Sequence, residues 1–283
     1  MNTLFSLLLE PLNYAFMVRG ILAALMVGAV CALVGTYVVL RGMAFFGDAL
    51  AHAILPGIAA GYLIGGGARE PLFWGALLAA VISSIGIGAV SKMTNLRQDT
   101  AIGIVFAGMF ALGIALISTV RSYSVDLAHF LFGDVLGVSN GDLVRIAVLG
   151  GLVLVGVLLF YKEFLIISFD PLLATTLRLP RRWLEYLLLL MIAVTIVIAL
   201  QTVGVALMVA VLVTPAAAAY LLTRRLPAMM ALSALIASLS GMIGLYISYY
   251  ANVASGAAIV LTCTLVFAVT WSVKSLRRKQ SAL

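Results

Sequence analysis

The amino-acid sequence predicts an all-α, polytopic integral membrane bundle of eight to nine transmembrane helices. Of its 283 residues, 64% are hydrophobic and 10% are charged, whereas an ordinary soluble domain has about 25% charged residues. Apolar runs of about 20 residues, the length that crosses a bilayer, recur along the whole chain. The basic residues gather at alternate ends of these runs. This composition excludes a soluble enzyme, a disordered protein and a coiled coil.

The candidate spans are apolar runs, and their number decides the topology. Short connections follow the first and the sixth run, so eight spans remain an alternative to nine. Residues 1–16 are too short to span and are interrupted by Glu10 and Pro11, which indicates an interfacial segment. The nine runs are 17–40, 44–66, 71–91, 100–119, 143–161, 183–200, 203–222, 227–249 and 255–273.

Basic residues set the orientation of the predicted bundle. The net charge is +7, and Lys and Arg are enriched in cytoplasmic segments of membrane proteins. When nine spans alternate with the C-terminus inside, most of the 17 Lys and Arg fall on the inner side. Arg19, Arg69, Arg121 and Arg145 are the basic residues left outside. The charge therefore indicates an outer N-terminus and contact with membrane lipid, and it gives no support for nucleic-acid binding.

A single transmembrane domain, 1–283, accounts for the whole sequence. Two connections are longer than simple turns and are expected to be functional: 120–142 outside and 162–182 inside. Residues 274–283 form a basic cytoplasmic tail. Cys31 and Cys263 lie inside apolar runs, so we expect buried free thiols.

The second run carries an acid and a histidine within the membrane. Asp48 and His52 are four residues apart and share one face of a helix. Ionisable residues inside a span are expensive and often functional, and a carboxylate with an imidazole can bind a divalent cation. In the alternative interpretation, the two side chains hydrogen-bond each other or hold helices together. Two ligands make a weak site, which a symmetric homodimer would double.

The outer connection mixes aromatic, acidic and histidine side chains. A short amphipathic helix over 125–135 would suit an outer gate. An interfacial helix with a solvated acidic face is the alternative. The outer gate candidates are Asp126, His129, Phe130, Phe132 and Asp134.

The inner connection predicts a short capped helix. Asp170 is a favourable N-cap, and Pro171 occupies the first helical position. Pro180 ends the segment, and a helix held on the lipid surface by Arg178, Arg181 and Arg182 is the alternative to a docking helix. The sequence contains no nucleotide-binding G-x-x-x-x-G-K-[ST] motif. We therefore expect no enzymatic activity in this chain, and ATP hydrolysis, if used, in another.

Four blocks together resemble the permeases of metal-ion ATP-binding-cassette (ABC) importers, which are related in fold to cobalamin and siderophore permeases. They occur in the family's order and cover most of the chain. Leu177-Arg178-Leu179 departs from the family, which often has a Gly near this helix end. The blocks are Arg41 to Ala53, Val125 to Ser139, Asp170 to Ala174, and Val203 to Ala219.

The resemblance implies a multi-pass permease of the prokaryotic cytoplasmic membrane. Its expected partners are a second copy of the chain, cytoplasmic ABC ATPase subunits and an extracytoplasmic metal-binding protein. Asp48 and His52 would be the metal ligands of the pathway, and 124–137 the gate. The ATPase-coupling residues would be Asp170, Pro171, Leu172, Ala174 and Arg178.

The expected cargo is a divalent transition-metal ion, with no permanently bound cofactor. Oxygen-rich candidate ligands favour manganese over zinc or iron, because zinc suits imidazole and thiolate ligands. An importer permease for a metal chelate, such as a siderophore or cobalamin, is one alternative. A standalone ion-coupled metal carrier is another, although it would need more intramembrane carboxylates.

Overall fold

A computed structural model describes residues 9–66, 68–94, 96–119 and 135–280. Contacts divide the chain into two compact units, which are described separately. The terminal unit comprises 1–36, 132–151 and 202–283, and the central unit comprises 37–131 and 152–201.

The described residues are almost entirely helical. A 3-10 turn, Pro11–Asn13, precedes the first helix, and a π-helical turn, Ile146–Gly150, joins α6 to α7. The helices are α1 Ala15–Leu40, α2 Ala44–Ala53, α3 Leu55–Gly65, α4 Arg69–Thr94, α5 Gln98–Ser118, α6 Asn140–Arg145, α7 Gly151–Leu159, α8 Tyr161–Phe169, α9 Pro171–Thr176, α10 Arg181–Leu222, α11 Leu226–Ala251 and α12 Ser255–Gln280.

Nine helical segments in the described part of the chain are long and apolar enough to cross a membrane. Their limits agree with the predicted runs to within three residues, and the count favours nine spans over eight. The two spans with the shortest connection, Arg181–Leu200 and Val203–Leu222, both lie within α10. Gly204, the second residue of the later span, has φ 75° and interrupts the helix. Only glycine adopts this backbone conformation readily.

The second span is broken in its middle. α2 ends at Ala53 and α3 begins at Leu55, with Pro56 in its first turn. Proline has no N–H for the preceding turn and therefore interrupts the ladder of helical hydrogen bonds. Metal-ligand candidates thus lie on a short inner helix, separate from the outer half of the span.

Close backbone contact holds the outer half of this span against α4 in the central unit. A Cβ at Gly57 would overlap the carbonyl oxygen of Gly75, and one at Gly61 would overlap that of Pro71. Small residues allow this approach between membrane helices, where packing rather than water exclusion drives association. Gly57 and Gly61 therefore permit the close approach of α3 and α4.

In the terminal unit, α11 packs against both α1 and α12. The Ser233 hydroxyl donates a hydrogen bond to the carbonyl of Ala32 at 3.3 Å. A Cβ at Gly244 would lie 2.6 Å from the Cα of Ile259. Cys31 and Cys263 are buried free thiols, as predicted.

Candidate functional site

Asp48 and His52 lie on the same face of α2 and remain accessible within one chain. Their side chains are 46% and 33% exposed, while Ala49, Leu50 and Ala51 on the other faces are buried. At 1.5 Å per residue they lie roughly 6 and 12 Å from the start of α2. The pair therefore faces outward from its own helix, well inside the span.

His52 bonds to the backbone of Asp48 and not to its carboxylate. The imidazole Nδ1 lies 2.9 Å from the Asp48 carbonyl oxygen and 3.9 Å from the carboxylate Oδ1. Because a carbonyl only accepts, Nδ1 is the donor. In the neutral imidazole, Nε2 is then the nitrogen available to a metal ion. The two side chains thus lie at ion-pair distance, and the alternative in which the pair holds helices together stays a prediction.

Two phenylalanines of α5 fix the plane of the His52 ring. The rings of Phe106 and Phe110 lie 6.0 and 5.9 Å from the imidazole, at interplanar angles of 79° and 72°. Edge-to-face contacts of this kind are favourable for aromatic rings. Phe45 packs in turn on Phe106, 6.4 Å away. The sequence argument missed these residues, although the four-residue spacing of Phe106 and Phe110 is a signal for a shared helix face.

The pair supplies two ligands of different kinds from one chain. Within the described ranges, no group of three or more His, Cys, Asp or Glu could hold a metal ion. A site made by these two side chains alone would therefore be weak and would need further ligands. Weak binding suits a pathway, since an ion that binds tightly cannot leave.

The outer gate candidates cannot be compared with the structure. Asp126, His129, Phe130, Phe132 and Asp134 lie outside the described residues. The description resumes at Val135, and a capping box then starts α6. Ser139 accepts from the Asp142 amide at 3.2 Å, and the Asp142 carboxylate accepts from the Ser139 amide at 3.0 Å.

The predicted capped helix is present as α9. The Asp170 carboxylate accepts hydrogen bonds from the amides of Leu172 and Leu173, each at 3.0 Å, and Pro171 opens the helix. Ala174 is buried, while the Leu172 side chain is 80% exposed. The helix thus presents an apolar side chain outward.

This helix ends earlier than the predicted segment. α9 stops at Thr176, and Arg178 follows with φ 54°. The Leu179 amide donates to the Ala174 carbonyl at 3.0 Å, closing the helix end. Glycine is the residue favoured at such a left-handed position, so Arg178 holds a backbone conformation that is uncommon for a residue with a Cβ.

Comparison with known proteins gives relatives along nearly the whole chain. Residues 13–274 match the ABC 3 transport family. The chain is 44% identical over 262 residues to a manganese transport system membrane protein MntC of Halalkalibacterium halodurans, covering 93% of this chain and 88% of that one. It is 39% identical over 269 residues to a chelated iron transport system membrane protein YfeD of Yersinia pestis, with coverage of 95% and 89%.

Solved structures agree with this assignment. PsaBC from Streptococcus pneumoniae in complex with Fab superimposes with a TM-score of 0.82 at 36% identity, covering 95% of each chain. An inward-facing putative metal-chelate type ABC transporter shares the fold, with a TM-score of 0.72 at 16% identity, covering 92% of this chain and 86% of that one. The chain is therefore a multi-pass membrane protein of the bacterial inner membrane and belongs to the ABC 3 transport family.

Proposed function

We propose that this chain is the permease subunit of an ABC importer that moves a divalent transition-metal ion, preferably manganese, into the cytoplasm. The observation that carries the proposal is the exposed Asp48 and His52 pair on α2, with Nε2 of His52 open to a ligand. Relatives named as manganese transport proteins support the choice of metal.

The ion is held only briefly in this mechanism. One carboxylate oxygen of Asp48 and Nε2 of His52 bind it from one copy of the chain. A second copy contributes the same pair, which brings the set to four, and no group of three or more candidate ligands occurs among the described residues of one chain. Both ligands must be deprotonated to bind, so acidification weakens the site.

Coupling to ATP hydrolysis runs through α9 to a separate ATPase subunit. Its Asp170 cap makes the helix rigid, and exposed Leu172 offers an apolar contact to a groove. A binding protein delivers the ion to the outer side, where 120–142 forms the gate. The permease itself carries out no chemical reaction.

Uptake of radioactive manganese and zinc tests the proposal in cells that lack their own importers. The cells express the chain with its ATPase and binding protein. We expect manganese uptake with wild type and a fall of about tenfold or more with Asp48→Asn, since even outer-shell partners of metal ligands change affinity by about 10–100-fold. Asp99→Asn, an exposed acid in the first turn of α5, is the matched control.

Three results would change the assignment. Normal uptake by Asp48→Asn would make the pair structural and move the ion's route elsewhere. Zinc uptake in place of manganese would change the metal and leave the site intact. Entry of neither metal with wild type would favour a chelate permease, the alternative suggested by the relative named for chelated iron transport.

A further inference from the structure

A cavity of about 780 Å³ lies in the central unit, away from Asp48 and His52. Its walls come from the end of α1, the end of α4, the start of α5 and the start of α10. These four helix ends lie on the side that the basic residues identify as cytoplasmic. The charged and amide side chains that line it are Arg41, Lys92, Gln98, Arg181, Arg182 and Glu185.

The cavity has more positive than negative charge. Glu185 is the one acid in its lining, and both of its carboxylate oxygens are already used. Oε2 pairs with Lys92 Nζ at 2.9 Å, and Oε1 accepts from Arg181 Nε at 2.7 Å. Lys92 also lies 4.2 Å from the centre of the Tyr186 ring. Arg41 and Arg182 are left without an ion-pair partner among the described residues.

Arg41 is the most informative residue of the cavity. Its Nη1 is buried and has no hydrogen-bond partner in the described part of the chain. Burial lowers the pKa of the guanidinium, and Arg181 acts in the same direction while Glu185 opposes it. Arginine nevertheless stays protonated in proteins. A buried cationic donor without a partner requires an acceptor from outside.

We propose that this cavity binds the phosphate of an anionic phospholipid from the cytoplasmic leaflet. Arg41 and Arg182 would bind the phosphate oxygens, because the planar guanidinium matches phosphate geometry. Basic pockets between transmembrane helices on the cytoplasmic side suit lipid headgroups.

The rest of the lining fits a lipid better than a free anion. Trp183 lies on the cavity wall and is 53% exposed, and its ring packs 5.4 Å from Phe160. Tryptophan is enriched at the membrane–water interface. Leu189 adds a buried apolar wall deeper in the cavity. A surface suited to the phosphate and an apolar surface suited to the acyl chains of the lipid therefore lie side by side in the cavity.

Native mass spectrometry of the purified full chain, titrated with phosphatidylglycerol or phosphatidylcholine, tests the proposal. We expect one phosphatidylglycerol to be retained preferentially. Arg41→Gln and Arg182→Gln should each weaken it about fivefold, the effect of roughly 1 kcal/mol per basic residue near a charged lipid surface. Arg225→Gln, at the start of α11 and outside the cavity, should leave binding unchanged. Arg41→Lys, which keeps the charge, separates loss of binding from loss of folding.

Unchanged binding in both glutamine variants would overturn the site. Equal retention of phosphatidylcholine would show that charge does not select the lipid. A further arm adds inorganic phosphate alone: Arg41-dependent phosphate binding without lipid retention would assign the cavity to a soluble anion. Because no arm measures transport, these results are independent of the proposed metal import.

Discussion

His52 shows how one side chain can be oriented before any ion arrives. Its Nδ1 is bound by a carbonyl of its own helix, and two rings of α5 hold its plane. Removing the rings would leave both candidate ligands in place but would free the imidazole to rotate. In the proposed function, the aromatic contacts would therefore contribute to metal binding through orientation.

Replacing Phe106 and Phe110 by leucine should weaken manganese uptake. We expect roughly a two- to tenfold loss for each variant, because an aromatic pair contributes about 0.5–1.5 kcal/mol beyond its buried area. Initial uptake rates at several manganese concentrations measure the effect. Phe267→Leu, a half-buried residue of α12, should transport normally. Equal losses in all three variants would indicate general destabilisation.

At this scale the sequence predicted the accessible Asp48 and His52 pair but not the residues that pack against it. Asp48 and His52 were identifiable because charged and polar residues are rare inside an apolar run. Phe106 and Phe110 were not, since an aromatic residue in a span is equally compatible with lipid contact. In the sequence, Arg41 served only as a basic residue that indicates the orientation of the spans. Its burial depends on contacts from α4 and α10 that no local pattern specifies.

Among the elements, α3 and α4 leave little room for added volume at their contact. We expect Gly57→Ala to lower the stability of the central unit by about 1–3 kcal/mol, because an added methyl would overlap the Gly75 carbonyl. Gly103→Ala is the matched control: it lies in α5 with nothing near an added Cβ. There alanine should be neutral or stabilise by about 0.5–1 kcal/mol, as helix propensity requires.

Thermal unfolding in detergent, followed by circular dichroism, compares the two variants directly. A drop in Tm for Gly57→Ala with no drop for Gly103→Ala would agree with the described contact. Equal Tm values would mean that α3 and α4 separate enough to accept the methyl group.

The short helix α9 depends on its cap. Asp170→Ala removes the acceptor for two amides and should cost about 0.5–2 kcal/mol of helix stability. Hydrogen exchange at Leu172 and Leu173 should accelerate accordingly, by roughly fivefold for each 1 kcal/mol. Asp170→Ser keeps a capping oxygen and should retain most of the protection. Unaltered exchange in Asp170→Ala would show that contacts elsewhere hold the helix.

The elements of this protein could be predicted almost completely, with two exceptions. The capping residues predicted α9 and the lengths of the apolar runs predicted the spans, because both signals are local in the sequence. The break at Gly204 was less visible, since a glycine in an apolar run is also compatible with close helix packing. The end of α9 was likewise difficult to predict, because Arg178 has a left-handed backbone conformation that is uncommon for arginine.

For the whole molecule, nine spans require successive connections to lie on alternate sides of the membrane. Cys31→Ala with Cys263→Ala provides a background free of native thiols. In intact cells, a membrane-impermeant maleimide should label Ala68→Cys and Asn252→Cys, which are exposed at outer connections. Leu96→Cys should react only after the membrane is opened. Labelling of Leu96→Cys from outside would contradict the orientation.

The break at Pro56 has a mechanical consequence for the second span. Its outer half is interlocked with α4 through Gly57 and Gly61, so it behaves as an anchored post. The inner half, α2, is connected to this anchored outer half next to Pro56, where the regular ladder of helical hydrogen bonds is interrupted. α5 contacts both halves, because a Cβ at Gly113 would lie 2.6 Å from the Leu55 side chain and the Phe106 and Phe110 rings pack on His52. One span thus joins a fixed support to a hinged arm that carries Asp48 and His52, and α5 bridges the two.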